Sequence, residues 1–160
     1  MSPRLLDDRG FSMLEVAVVL AITMIMAAFS LLWVQSTLKS YHLSSAVLST
    51  TGVVQTTRYQ AITNGCPYTV SFSATNTSYQ VAQEALSGSP PACASTFTNV
   101  GRTIPWSSTG DVTLSPSTTL QFSPNGTVTA TAGSLTFNLT NGASTETITV
   151  SGVGNVKVSP

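Results

Sequence analysis

Residues 11–38 read FSMLEVAVVLAITMIMAAFSLLWVQSTL, and the reading of this stretch decides the fold. Glu15 is its only charge, and the run Val16–Leu38 contains neither Pro nor Gly. With no breaker present, one unbroken helix is expected. The 23 residues of that run, at about 1.5 Å each, reach roughly 34 Å, enough to cross a bilayer core of about 30 Å. Arg4 and Arg9 precede it and Lys39 follows, a bias that favours a cytoplasmic N-terminus. A secretory signal would have a shorter core of about 7–15 apolar residues before its cleavage site. Here Leu31, Leu32, Trp33 and Val34 run on past the small-residue triplet Ala28-Phe29-Ser30. A plain signal anchor explains the length and leaves Glu15 unexplained. A carboxylate inside a membrane helix costs about 2.5–3.5 kcal/mol on insertion scales, so it marks a functional contact unless it snorkels to the interface.

The junction Arg9-Gly10-Phe11-Ser12-Met13-Leu14-Glu15-Val16 resembles the leader junction of type IV pilins and pseudopilins. In that family a prepilin peptidase cuts after the Gly, the exposed Phe is N-methylated, and a Glu follows four residues later. The resemblance implies that Gly10 ends a leader of residues 1–10, that Phe11 becomes the methylated first residue, and that Glu15 is the assembly carboxylate. Glu15 of one subunit would neutralise the Phe11 amine of its neighbour, which removes the penalty each buried charge meets alone. The implied partners are the prepilin peptidase, inner-membrane lipid and other pilins or pseudopilins in a filament. The implied location is the bacterial inner membrane, single-pass with the N-terminus cytoplasmic, and then a periplasmic or extracellular filament. Many major pilins carry a Pro midway along this helix, and Leu32 stands there instead.

Beyond residues 11–38, the transmembrane and polymerisation helix, an amphipathic continuation is expected over residues 39–64. Leu43, Val47, Val54 and Ala61 recur at helical spacing with Ser and Thr on the other faces. Asn64-Gly65, with Pro67 just beyond, reads as the stop. From Tyr68 the period changes to that of strands. Thr69–Ser73 and Ser78–Gln83 read as a hairpin, followed by Thr119–Phe122, Thr127–Ala130, Ser134–Leu139, Thr145–Val150 and Asn155–Val158. Leu120, Phe122, Val128, Leu135, Phe137, Leu139, Ile148, Val150, Val156 and Val158 should form one buried face. Leu86–Ser117, rich in Gly, Pro, Ser and Thr, reads as a long irregular loop anchored by Trp106. The expected fold class is α+β: a long N-terminal hydrophobic helix packed against a small antiparallel meander, in an exported domain of residues 65–160.

Only 8% of the 160 residues are charged, six acids against six bases, and Ser and Thr fill about 30% of the chain. A soluble domain usually carries about 25% charged residues. This surface stays wet through hydroxyls, and no global field steers it to nucleic acid or anionic lipid. Cys66 and Cys93 have neither CxxC spacing nor a nearby His, which argues against zinc. Two cysteines in an exported domain more often pair with each other, closing a loop of about 28 residues worth roughly 3.5 kcal/mol in the chain-entropy model. Two free thiols are the alternative.

The run Leu120-Gln121-Phe122-Ser123-Pro124-Asn125-Gly126-Thr127, with Ile148-Thr149-Val150-Ser151 and Gly154-Asn155-Val156-Lys157-Val158, is similar to pseudopilins of the GspH/FimT family. The resemblance implies a minor subunit of a type II secretion pseudopilus or a type IV pilus. The alternatives are a DNA-receptor minor pilin for natural transformation, or a major pilin. DNA-binding members carry a Gly-Arg-x-Arg-like motif, where this chain has Gly154-Asn155-Val156-Lys157. Lys157, Arg102 and Arg58 remain as weak DNA-contact residues, and three scattered charges neutralise few phosphates. No G-x-S-x-G, P-loop or HExxH occurs, so neither enzyme activity nor a cofactor is expected. His42 has no carboxylate at helical spacing and reads as a structural or surface residue.

Overall fold

The computed structural model describes residues 12–88, 92–106 and 110–160, with Leu31 and Leu32 described by their backbone alone. Helix α1 runs Met13–Asn64. Strands follow as β1 (Tyr68–Ser73), β2 (Ser78–Ser87), β3 (Ala92–Pro105), β4 (Thr113–Ser115), β5 (Thr118–Phe122), β6 (Val128–Ala132), β7 (Thr136–Thr140), β8 (Thr145–Val150) and β9 (Val156–Ser159). The fold is α+β and pilin-like, and the chain divides into two compact units, Met1–Leu38 and Lys39–Pro160.

In the first unit, the described large apolar side chains of α1 stand around its whole circumference and are all exposed, among them Met13, Leu20, Met24, Phe29 and Trp33. Its best window has a mean hydropathy of 2.5, and the helix is long and apolar enough to cross a membrane. A helix that is apolar all round gains nothing from water and needs lipid or other helices about it.

In the second unit, α1 turns one seam inward: Leu43, Val47, Thr50, Val54, Thr57 and Ala61 are buried, spaced alternately four and three residues apart. Thr50 and Thr57 thus lie on the buried face, although hydroxyl residues were expected on the others. Thr50 avoids an unmet hydroxyl by donating Oγ1 to the Ala46 carbonyl at 2.8 Å. Tyr68, Val70 and Phe72 from β1, Leu120 and Phe122 from β5, and Phe137, Leu139, Ile148 and Val150 from β7 and β8 complete the core. Those alternating pairs are the period-2 positions of their strands.

The strands do not form one meander. They form two antiparallel sheets, ordered β3-β2-β1-β5-β6 and β4-β7-β8-β9. The rings of Phe72 on β1 and Phe137 on β7 meet at 5.3 Å, joining the sheets. The stretch expected as a loop over Leu86–Ser117 is largely strand: β2 extends to Ser87, β3 spans fourteen residues, and β4 begins the second sheet. β3 pairs only with β2, as an edge, and almost every residue on it is exposed on both faces. It therefore shows no apolar alternation to read. Register shifts opposite Gln80 and Ala85 interrupt it, a common way to blunt an exposed edge. Trp106, just past β3, is buried with its ring 6.0 Å from Phe72. Of the expected buried face, Leu135 and Val156 are half-buried, and Val158 is exposed because β9 is itself an edge.

Candidate assembly helix and cation-bearing turns

Glu15 stands in the first turn of α1, where the helix's positive end favours a carboxylate. The Ser12 carbonyl accepts from the Glu15 and Val16 amides at 2.9 and 3.2 Å, and Ser12-Met13-Leu14-Glu15 has capping-box spacing. Glu15, Val16, Val19 and Leu20 line a shallow hollow whose exposed surface is apolar. A charge in such surroundings is poorly compensated without a partner. Gly10 and Phe11 lie outside the described residues.

Cys66 and Cys93 are bonded, their Cα atoms 5.6 Å apart. Cys66 follows the end of α1 and Cys93 sits on β3, so the bond ties an edge strand to the helix end, where a loop was expected.

Of the three candidate DNA-contact cations, Arg58 is engaged within the domain. Its Nε donates to the Gly126 carbonyl at 3.1 Å. Gly126 (φ +83) closes a turn whose amide bonds the Ser123 carbonyl, and Gly154 (φ +79) closes another by bonding the Ser151 carbonyl. The two turns are joined by the Val128 amide donating to the Gly152 carbonyl at 2.8 Å. A Cβ on Gly154 would stand 2.4 Å from Arg58 Cδ and 2.6 Å from its Nε. Only glycine serves there, both for the left-handed backbone and for the close approach. Arg102 is on β3 of the five-stranded sheet and Lys157 on β9 of the four-stranded one, both exposed. The structure thus puts the three cations on different elements and joins none of them to another by a described contact.

At the other end of this unit two loops hold the helix. His42 Nδ1 donates to Asp111 Oδ2 at 2.7 Å. Asn141 Nδ2 donates to the Lys39 carbonyl at 2.9 Å, while its Oδ1 accepts the Ala143 and Ser144 amides. Asp111 lies 69 residues from His42, so helical spacing could not reveal it. Asn141-Gly142 signalled a turn, not a tie to the helix.

Residues 46–154 match the family described as type II transport protein GspH, and residues 6–31 match the prokaryotic N-terminal methylation motif. The chain belongs to the GspH family. No curated protein and no solved structure matches it. The family match begins within α1 and ends at Gly154, so it spans Arg58, the disulfide and both glycine turns. Membership makes the chain a pseudopilin or minor pilin of type II secretion or type IV pili, a structural class, not a catalytic one. The methylation motif takes in Gly10, Phe11 and Glu15 and implies processing by prepilin peptidase.

Proposed function

We propose that this chain is a minor subunit of a type IV pilus or a type II secretion pseudopilus, anchored in the inner membrane and then drawn into a filament. The observation that carries this reading is the almost wholly apolar Met13–Leu38 half of α1, whose described side chains are exposed, with Glu15 its single charge. In the membrane that surface faces lipid; in a filament it faces other helices. Leader 1–10 is removed, residues 11–38 pack in the filament core, residues 39–64 carry the connection, and residues 65–160 form the exported domain.

Cleavage after Gly10 creates an α-amino group at Phe11. Within an apolar core that ammonium and the Glu15 carboxylate of a neighbour each lack water. Placed together they restore one another's charged state and fix the axial position of the incoming subunit. The Lys39–Pro160 unit, with its hydroxyl-rich surface, faces outward to other minor subunits or cargo.

Mass spectrometry of the membrane-extracted protein tests the first step. Methylated Phe11 should be the first residue, and a Gly10→Val variant should keep its leader. A first residue at Leu31, or an intact Met1 in the wild type, refutes the reading.

A further inference from the structure

A cleft of about 400 Å³ opens between the end of α1 and β2. Thr63 and Asn64 line it from α1 and residues 83–86 from β2, and the buried Cys66 and Tyr68 complete it. Tyr68 is paired with Gln83 across β1 and β2, and the Glu84 amide donates to the Pro67 carbonyl at 3.0 Å. Backbone bonds thus hold β2 against the turn that ends α1. A regular strand turns alternate side chains to opposite faces. Here four consecutive residues of β2 line one cleft, and the pairing with β3 shifts register between Glu84 and Leu86, an irregularity of the kind that re-aims side chains.

The polar groups of the cleft select a cation. Asn64 Nδ2 donates to the Tyr68 hydroxyl, which donates in turn to Gln83 Oε1. That relay leaves Asn64 Oδ1 as an acceptor with no partner among the described residues. Glu84 is half-buried, and among the described residues its carboxylate has neither a hydrogen bond nor an ion pair. The last carbonyls of a helix lack intrahelical partners and carry its negative pole. The last turn of α1 contains no basic residue, and Arg58, the nearest cation along the helix, is bonded to Gly126. Among the described residues no cluster of His, Cys, Asp and Glu could hold a metal, and one carboxylate is too few for a calcium ion. A neutral ligand would leave the Glu84 charge uncompensated. The rest of the β2 wall is apolar, with Leu86 61% exposed and Ala85 beside it. A charged head on an aliphatic stem matches both halves of the cleft.

We propose that the cleft receives an arginine side chain presented by a different protein. The guanidinium meets the Glu84 carboxylate and the carbonyl end of α1, and the stem lies along Leu86. Arginine fits better than lysine, because its planar, weakly hydrated head can bond a carboxylate through two N–H groups and still reach a further acceptor. The described cations of this chain are placed elsewhere. Arg58 is on Gly126, Arg102 lies opposite Gln80 towards the other end of β2, Lys157 is on β9 and Lys39 begins this unit's share of α1. The inference names the chemistry of a partner for the exported domain and holds whether or not the chain is in a filament.

The test is an NMR titration of the isotope-labelled full chain in detergent micelles with N-acetyl-arginine methylamide. Saturable shifts are expected at Gln83, Glu84 and Leu86, while core residues such as Val150 stay unshifted. N-acetyl-citrulline methylamide, nearly the same shape without the charge, should bind about ten-fold more weakly, and so should the arginine probe to a Glu84→Gln variant. Glu84→Gln keeps the backbone bond to Pro67 and with it the fold. Leu86→Ser should weaken the arginine probe several-fold. Equal binding of the citrulline probe, an unaffected Glu84→Gln variant, or no saturable shift at residues 83–86 overturns the proposal. So does tighter binding of spermidine at the same residues, which would make the occupant a free polyamine. No filament takes part in the measurement, so each of these results leaves the filament reading standing.

Discussion

Replacing Gly154 with Ala is expected to destabilise the Lys39–Pro160 unit by about 3 kcal/mol, and roughly half of that cost should vanish when Arg58 is also Ala. The figure has two parts. Gly154 has φ +79, and a left-handed backbone costs an L-residue about 1–2 kcal/mol. The new Cβ would then sit 2.4 Å from Arg58 Cδ, far inside contact distance, so the side chain must leave. Its departure breaks the 3.1 Å bond from Nε to the Gly126 carbonyl. Hydrogen bonds to charged groups contribute about 1.5–3 kcal/mol, and half-exposure of Arg58 argues for the low end.

In the Arg58→Ala background neither clash nor bond exists, so Gly154→Ala should cost only its backbone share. The coupling energy of the cycle is thus about 1.5 kcal/mol, within the range seen for contacting residues. Urea unfolding of the detergent-solubilised chain measures it. Trp106 is buried in this unit, and Trp33→Phe leaves it as the single fluorescent reporter. Costs that add to within 0.5 kcal/mol, the usual behaviour of independent sites, would refute the claim that the glycine exists to admit the arginine.

Cys66→Ser with Cys93→Ser should lower stability by about 3.5 kcal/mol on the loop-closure estimate. Amide exchange should rise most at Ala92–Thr96 of β3, and equal acceleration across β1 and β5 would contradict an edge-strand role. Glu15→Ala and Glu15→Gln should both reach the membrane and be cleaved, yet be depleted at least ten-fold from sheared filaments, since each leaves a neighbour's ammonium unpaired; normal filament levels would make Glu15 a helix cap and no more. His42→Ala should cost no more than about 1 kcal/mol, because the pair it breaks is partly solvated, at 32% and 25% side-chain exposure. A loss above 2 kcal/mol in the same urea assay would mean that His42 holds more than Asp111. Duplex DNA should not be retarded by the full chain at 150 mM salt, and retardation abolished by Lys157→Ala would revive the receptor reading.

What could be read from the residues was whatever repeats with a period. The Met13–Leu38 helix announces itself by 23 uncharged residues without a breaker, and β5, β7 and β8 by apolar residues at every second position, because each buries one face. β3 shows neither pattern: on a sheet edge with both faces wet, selection acts on backbone pairing, which any Ser or Thr can supply. The split into two sheets was hidden for a related reason. Alternation says that a strand has an inside, not which strand lies beside it. Arg58 was the hardest case, since its partners stand 68 and 96 positions away and a glycine in a turn seems already explained by the turn. Its engagement bears on function. Each phosphate neutralised contributes about 0.9 to the salt slope of duplex binding, so tight binding needs several cations on one surface. With Arg58 bound to Gly126 and packed on Gly154, only Arg102 and Lys157 remain of the three named, on strands of different sheets. The same glycine turns that resemble the GspH/FimT family are here built around an arginine turned inward, bonded to one turn and packed on the other.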